Sequence, residues 1–233
     1  MNKLELLFYE YLKHHPSLKM RIRNFYMDLI DIIPDSPSTF DGKLICKEGF
    51  FFGFHDHSPF SDKDLYILSN KLEIPLRMPK NTDYLSVGYW DSSITNFANM
   101  AKSYAWNYHK GCRLQWLNSK NLSFIFNNAV DNKLVSQIRD VFNTTHVTID
   151  YPIDSTSPNG KLATSFSYER LEYLMPGYGY QYNDEGFLDN KSPTNTGLFI
   201  IDLEINKRSL ICSLNQLVNF DNDSTMENAR HYV

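Results

Sequence analysis

The sequence predicts a mostly β fold, antiparallel four-stranded sheets preceded by N-terminal α-helices. Three observations predict it. Sixteen Phe and fifteen Tyr outnumber the ten Gly and ten Pro, and aromatic side chains favour strands. Helical periodicity marks the start of the chain; beyond about residue 40 it fades and short apolar runs appear between turn signals. Finally, a polar turn followed by a Leu-led alternating run recurs three times.

The helical part covers residues 2–33. Leu4, Leu7, Phe8, Tyr11 and Leu12 recur at three- and four-residue steps, and Pro16 interrupts them. A second run carries Leu18, Ile22, Phe25, Tyr26, Leu29, Ile30 and Ile33, and Pro34 and Pro37 stop it. Lys19, Arg21 and Arg23 lie on its more polar side, which reads as a solvated face. Basic residues beside an apolar stripe also fit a peripheral membrane contact through residues 16–33. Two parts follow: a helical segment at 1–38 and a β region at 39–233.

In the β region, Pro59–Leu68, Gln115–Phe126 and Ser155–Thr164 resemble one another. Each has an Asn/Asp/Ser turn and then Leu65, Leu122 or Leu162 at the head of an alternating strand. Asn159-Gly160 is a strong hairpin signal. A repeat of roughly 40–50 residues made of short strands is the pattern of a β-propeller. Its outer hairpin fits Gly197–Asp202, a turn over Glu204–Lys207 and a return over 208–214. Leu85–Asp91 and Asp131–Arg139 are the matching segments of earlier blades. The long first interval implies an insertion at Thr95–His109, where Phe97, Met100, Ala101 and Tyr104 have helical spacing; a short helix or ordered loop is expected there.

Composition narrows the function. The net charge is −4, 42% of residues are hydrophobic and 15% aromatic, and the mean hydropathy is −0.41. This composition excludes a disordered chain and a helical membrane bundle. So slight a net charge recruits no nucleic acid. Cys46, Cys112 and Cys212 are far apart and form no C-x-x-C pair, so no zinc knuckle or disulfide framework is signalled. Glu5 and Glu10 break any signal-peptide core. A cytoplasmic location with reduced thiols is expected.

Two motifs carry a resemblance. Phe52-Gly53-Phe54-His55-Asp56-His57-Ser58-Pro59-Phe60-Ser61 resembles the G-[YF]-x-D-x-S-P-[WF] opening of certain bacterial β-propellers, and Gly111-Cys112-Arg113-Leu114-Gln115-Trp116-Leu117 resembles their Q-G-x-x-L-Q-W-L element, with Lys110 at the usual Gln. These proteins are similar to oligogalacturonate-lyase-like and TolB-like propellers. They are often encoded among surface-polysaccharide (capsule and O-antigen) genes, and most have no assigned activity. The resemblance covers roughly residues 40–233. Glu227–Val233 looks like the start of a strand that continues into further blades in that family. About four blades fit the region, roughly half of a closed six- or seven-bladed ring. The resemblance therefore implies a partial propeller, whose open edges would favour self-association or a second chain.

Three groups of residues could carry chemistry. In a strand, His55 and His57 would share one face and Asp56 the other. Two such imidazoles could ligate a metal with His109 or His231, His55, Asp56 and His57 could bind a polar ligand, or Asp56 could cap the turn at Ser58 while the histidines line a solvated rim. The family pattern keeps the Asp but not both His, which points to a structural Asp56. Trp90, Asp91, Trp106, Tyr108, Gln115 and Trp116 form the second group, together with Arg113 nearby. Aromatic rings stack on sugars while Asp and Gln take hydroxyls; the alternative is packing between sheets. The Gly/Tyr run Met175–Tyr182 follows no phosphate-loop spacing and reads as an inter-strand excursion carrying exposed tyrosines, which either contact a ligand or partner or merely pack. No G-x-S-x-G elbow, H-E-x-x-H or EF-hand loop occurs.

The leading expectation is a saccharide- or protein-binding propeller of surface-glycan biosynthesis, with no demonstrated catalysis and no cofactor predicted. One alternative is a lyase-like enzyme using a divalent metal at His55, His57 and His231, with Arg77 and Arg113 available as cations. Another is a scaffold that docks a membrane-associated glycan enzyme through its N-terminal helices.

Overall fold

In the computed structural model, residues 16–31, 44–118, 121–182, 186 and 188–220 are described. The chain divides into two compact units, Met1–Cys46 and Lys47–Val233. In the first, helix α1 spans Pro16–Asp31. Pro16 opens it, where a missing backbone N–H costs nothing. Ile22, Phe25, Tyr26 and Leu29 are exposed along it. Among the described residues, no helix is long and apolar enough to cross a membrane.

The second unit is mostly β. Strands β1 (Phe50–Phe51), β2 (Tyr66–Leu72), β3 (Leu85–Asp91) and β4 (Phe97–Ser103) pair in sequence order as one antiparallel sheet. Strands β5 (Gln115–Asn118), β6 (Ser123–Val130), β7 (Lys133–Asp140) and β8 (His146–Ile149) make a second. A third contains β9 (Leu162–Ser165), β10 (Gly197–Asp202) and β11 (Lys207–Ser213). An irregular lane precedes β9 in this third sheet: Thr156 bridges Ala163, Asp154 N–H donates to Thr164 O at 2.8 Å and Ser157 N–H to Leu162 O at 2.8 Å.

The repeated segments lead into the second strand of the first two sheets, at Tyr66 and Ser123, and into β9 after the irregular lane of the third, at Leu162. The matching segments become β3, β7 and β10, each the next strand along. The β6–β7 hairpin closes over Asp131 and Asn132, both at positive φ, as a two-residue loop requires. The described residues form three sheets, where about four blades are expected.

Two expectations are corrected. Thr95–His109 is not helical; β4 fills most of it. The β3–β4 register shifts between Val87 and Gly88, leaving Met100 unpaired opposite the break. One bulged residue slips the two-residue alternation and imitates helical spacing. The Gly/Tyr run is not a row of exposed tyrosines either: Tyr180 and Tyr182 are buried, and only Tyr178 reaches solvent. The Tyr182 hydroxyl donates to Asn81 O at 2.9 Å and Tyr104 O at 3.1 Å. Two seven-residue helices, α2 (Tyr168–Leu174) and α3 (Leu214–Phe220), complete the unit.

The pleat of β6 supplies both main cores. Phe124 and Phe126 point one way, into a cluster with Leu68, Leu85, Val87, Trp106 and Leu114 from the first sheet and its connection. Ile125 points the other way, to Ile138, Ile149, Ala163 and Ile201 between the second and third sheets. A third cluster packs α2 through Tyr168 and Leu171 against Leu134, Tyr180 and Tyr182.

Candidate functional site

The leading lanes of all three sheets meet at one polar junction. In the first sheet this lane is broken. Phe50 and Phe51 pair with Lys71 and Asn70, and Phe60 bridges Ile67, while residues 52–58 leave the ladder between them. This loop lies against the backbone that leads into β5. Gly53 has φ 129°, and a Cβ there would come within 2.7 Å of Lys110 O. Only glycine fits both constraints.

Arg113, at φ 55°, projects its guanidinium into the junction with 1% of its side chain exposed. Every nitrogen of the fork is engaged. Nη1 meets Asp56 Oδ2 at 2.8 Å, Nη2 donates to His57 Nε2 at 2.7 Å, and Nε donates to Asp154 O at 2.8 Å with Asp154 Oδ1 at 3.2 Å. A guanidinium has no acceptor, so His57 Nε2 accepts and the ring proton sits on Nδ1. Gln115 locks the same turn: Nε2 donates to Arg113 O at 3.1 Å and Asp154 O at 3.0 Å, and Oε1 accepts from Thr156 N–H at 3.0 Å. Lys110 Nζ lies 3.6 Å from Asp154 Oδ1.

A buried layer supports these groups. The Tyr168 hydroxyl donates to Ile153 O at 2.9 Å. Asn127, fully buried, donates to Ile153 O at 2.8 Å and the Tyr180 hydroxyl at 3.1 Å. Its carbonyl accepts from Ile153 N–H at 2.7 Å and the Ser136 hydroxyl at 2.9 Å. One side chain thereby pins the segment before β9 to the second sheet.

The electrostatics follow from this geometry. Burial, then the adjacent Arg113 charge, hold His57 below its ordinary pKa, so the ring is neutral at pH 7. Partial burial opposes the charge on Asp56, but the Arg113 hydrogen bond and charge outweigh it and keep the carboxyl below the usual range. Burial works against Arg113 as well, yet its anionic surroundings hold its pKa above the ordinary value. The Cys112 thiol close by is no nucleophile: burial raises its pKa to about 12, and it donates to Asn70 Oδ1 at 3.1 Å.

The structure thus gathers Asp56, His57, Arg113 and Gln115 from the sequence-derived candidates. His55 and His57 lie in a turn rather than a strand. His55 is exposed, its ring 4.2 Å from Phe54, away from the Arg113 contacts. His109 stacks on Tyr178 with ring centroids 4.0 Å apart, and His231 lies outside the described residues. Among the described residues, no three His, Cys, Asp or Glu side chains converge as metal ligands. The lone pair on His57 Nε2 is taken up by a cation, which does not fit a metal there.

The tryptophan group is dispersed. Trp90 packs edge-on to Phe50 at 4.8 Å and near Phe97 at 5.4 Å. Trp106 is buried in the core between the first two sheets and donates to Asp83 O at 3.0 Å. Trp116 packs against that same core and donates to Pro59 O at 2.8 Å. The Tyr108 hydroxyl donates to Arg77 O at 2.6 Å, and Arg77 forks onto Asp83 at 2.6 and 2.9 Å. Asp91 accepts from Ser93 at 2.6 Å in the β3–β4 turn. Sequence reasoning missed Asp154, Lys110, Tyr168 and Asn127 as parts of the junction. The position of Asp154 directly before the third repeated segment was the available signal.

Comparison with models of known protein families, with curated proteins and with solved structures finds no match.

Proposed function

We propose that the second unit is a saccharide-binding module whose three sheets are blades of propeller type, with the junction around Arg113 as its binding site. The carrying observation is the arrangement of that junction. The carboxylates of Asp56 and Asp154 and the neutral imidazole of His57 reach partial exposure around a buried guanidinium that fixes them, and the partly exposed ammonium of Lys110 stands beside Asp154. Such alternating acceptors and donors suit polyhydroxylated ligands, because each hydroxyl both donates and accepts. Rigid support matters equally, since groups held in place lose little entropy on binding. The motif resemblance adds a setting in bacterial surface-glycan assembly. The test is a glycan array with the purified chain, followed by calorimetry on any hit. Saturable binding lost in Asp154→Asn, with an unchanged thermal melt, supports the reading. No glycan binding, or binding untouched by that substitution, refutes it.

A further inference from the structure

We infer that the junction selects neutral saccharides bearing adjacent hydroxyls and discriminates against their uronate counterparts. This rests on the saccharide reading above and gives the ligand its charge. Two carboxylates, one guanidinium and one ammonium leave the cluster without net charge while His57 is neutral. The signs are not equally accessible. Arg113 is 1% exposed, whereas the side chains of Asp56 and Asp154 are 36% and 24% exposed and that of Lys110 is 23% exposed. Two of the three partly exposed charged side chains are therefore carboxylates.

A uronate carboxylate entering this rim has few partners. The guanidinium nitrogens are already engaged at 2.7–3.2 Å by Asp56, His57 and Asp154. The Lys110 ammonium is 3.6 Å from Asp154 Oδ1, so an anion on it would stand beside a like charge. Displacing Asp56 from Arg113 would break a hydrogen-bonded ion pair at a buried cation. A hydroxyl meets none of these costs. It donates to a carboxylate oxygen without disturbing the pair behind it, and its neighbour accepts from the Lys110 ammonium. Lys110 and Asp154 side by side offer one donor and one acceptor to a pair of adjacent hydroxyls.

The experiment titrates the full chain with methyl glucoside, methyl galactoside and methyl mannoside and with the corresponding methyl uronosides, by ligand-observed NMR and calorimetry. A neutral glycoside is expected to bind at least about ten-fold tighter than its uronate. Asp56→Asn, which removes one rim charge and loosens an Arg113 nitrogen, should narrow or reverse that ratio. Lys110→Met, on the rim, is the second variant should Asp56→Asn fold poorly. It should weaken the neutral glycoside by about ten-fold, one charge-assisted hydrogen bond being lost. Equal or tighter uronate binding by the unaltered chain overturns the inference and leaves the saccharide reading standing. Binding of neither class refutes the saccharide reading itself.

Discussion

The contact between the first two sheets and the Arg113 junction are both buried and both join separate sheets, yet they do so by opposite means. The first is apolar: Phe124 and Phe126 pack against Leu68, Leu85 and Val87, and the polar tip of Trp106 is satisfied by a backbone carbonyl. Its stability scales with area removed from water and is insensitive to charge. The second holds a cation, two carboxylates and an imidazole, each paid for in desolvation and returned through directed contacts. A dry contact tolerates neighbours of the right volume, whereas the junction tolerates only the right atoms. Cohesion is concentrated in one region and chemical definition in the other.

This contrast can be broken from either side. Phe124→Ala should give one of the largest losses, about 3–5 kcal/mol by denaturant unfolding, with little dependence on salt. Arg113→Met should cost a similar ~3–5 kcal/mol, because the Asp56 carboxylate and His57 Nε2 lose their donor. The two differ under a second change: adding Asp56→Asn should recover part of the Arg113→Met loss and none of the Phe124→Ala loss.

An intermediate effect is expected from pH. His57 has a folded pKa below its ordinary 6.5, so the unfolded chain binds more protons between the two values. Its contribution to stability is complete above 6.5 and declines as pH falls toward the lower folded value. The melting temperature should therefore drop on acidification from pH 7 to about 5.5, and His57→Gln should flatten that slope. Asp56 acts in the same direction at lower pH, its contribution being lost as pH falls below 3.8.

Smaller still is the effect of Asp140→Asn. This carboxylate closes the β7–β8 turn by accepting from Phe142 N–H at 2.7 Å, the Thr144 hydroxyl at 2.8 Å and Thr145 N–H. A loss of about 1–3 kcal/mol is expected, read by thermal unfolding. At the far end, breaking the exposed Lys161–Glu204 pair by Glu204→Ala should leave the melting temperature unchanged within error.

The sequence carried the sheets better than the site, for physical reasons. Leu65, Leu122 and Leu162 marked where β2, β6 and β9 begin because turn chemistry and two-residue alternation are local properties. β4 was hidden by a bulge, and α2 by its seven residues, too few for a helical period to declare itself. The candidates Asp56, His57, Arg113 and Gln115 were legible as unusual polar residues in otherwise apolar motifs. Asp154 and Asn127 were not, since their roles arise from segments tens of residues apart arriving at one place. Proximity in sequence also misled: Trp90 and Trp116 lie close along the chain but belong to different sheets.

The strict pairing of each strand with its neighbour in sequence has a consequence for how the chain acquires its structure. In the first two sheets the ladders between consecutive strands close short loops, so these can assemble with little entropic delay, whereas β9 and β10 pair across residues 166–196. The first has all its strands once residue 103 has emerged during synthesis. The ties made by Arg113 to Asp56, His57 and Asp154 connect residues 41 to 57 positions apart and must wait for later sheets. Folding should thus run from the N-terminal side of this unit, with the polar junction fastening after the sheets it joins.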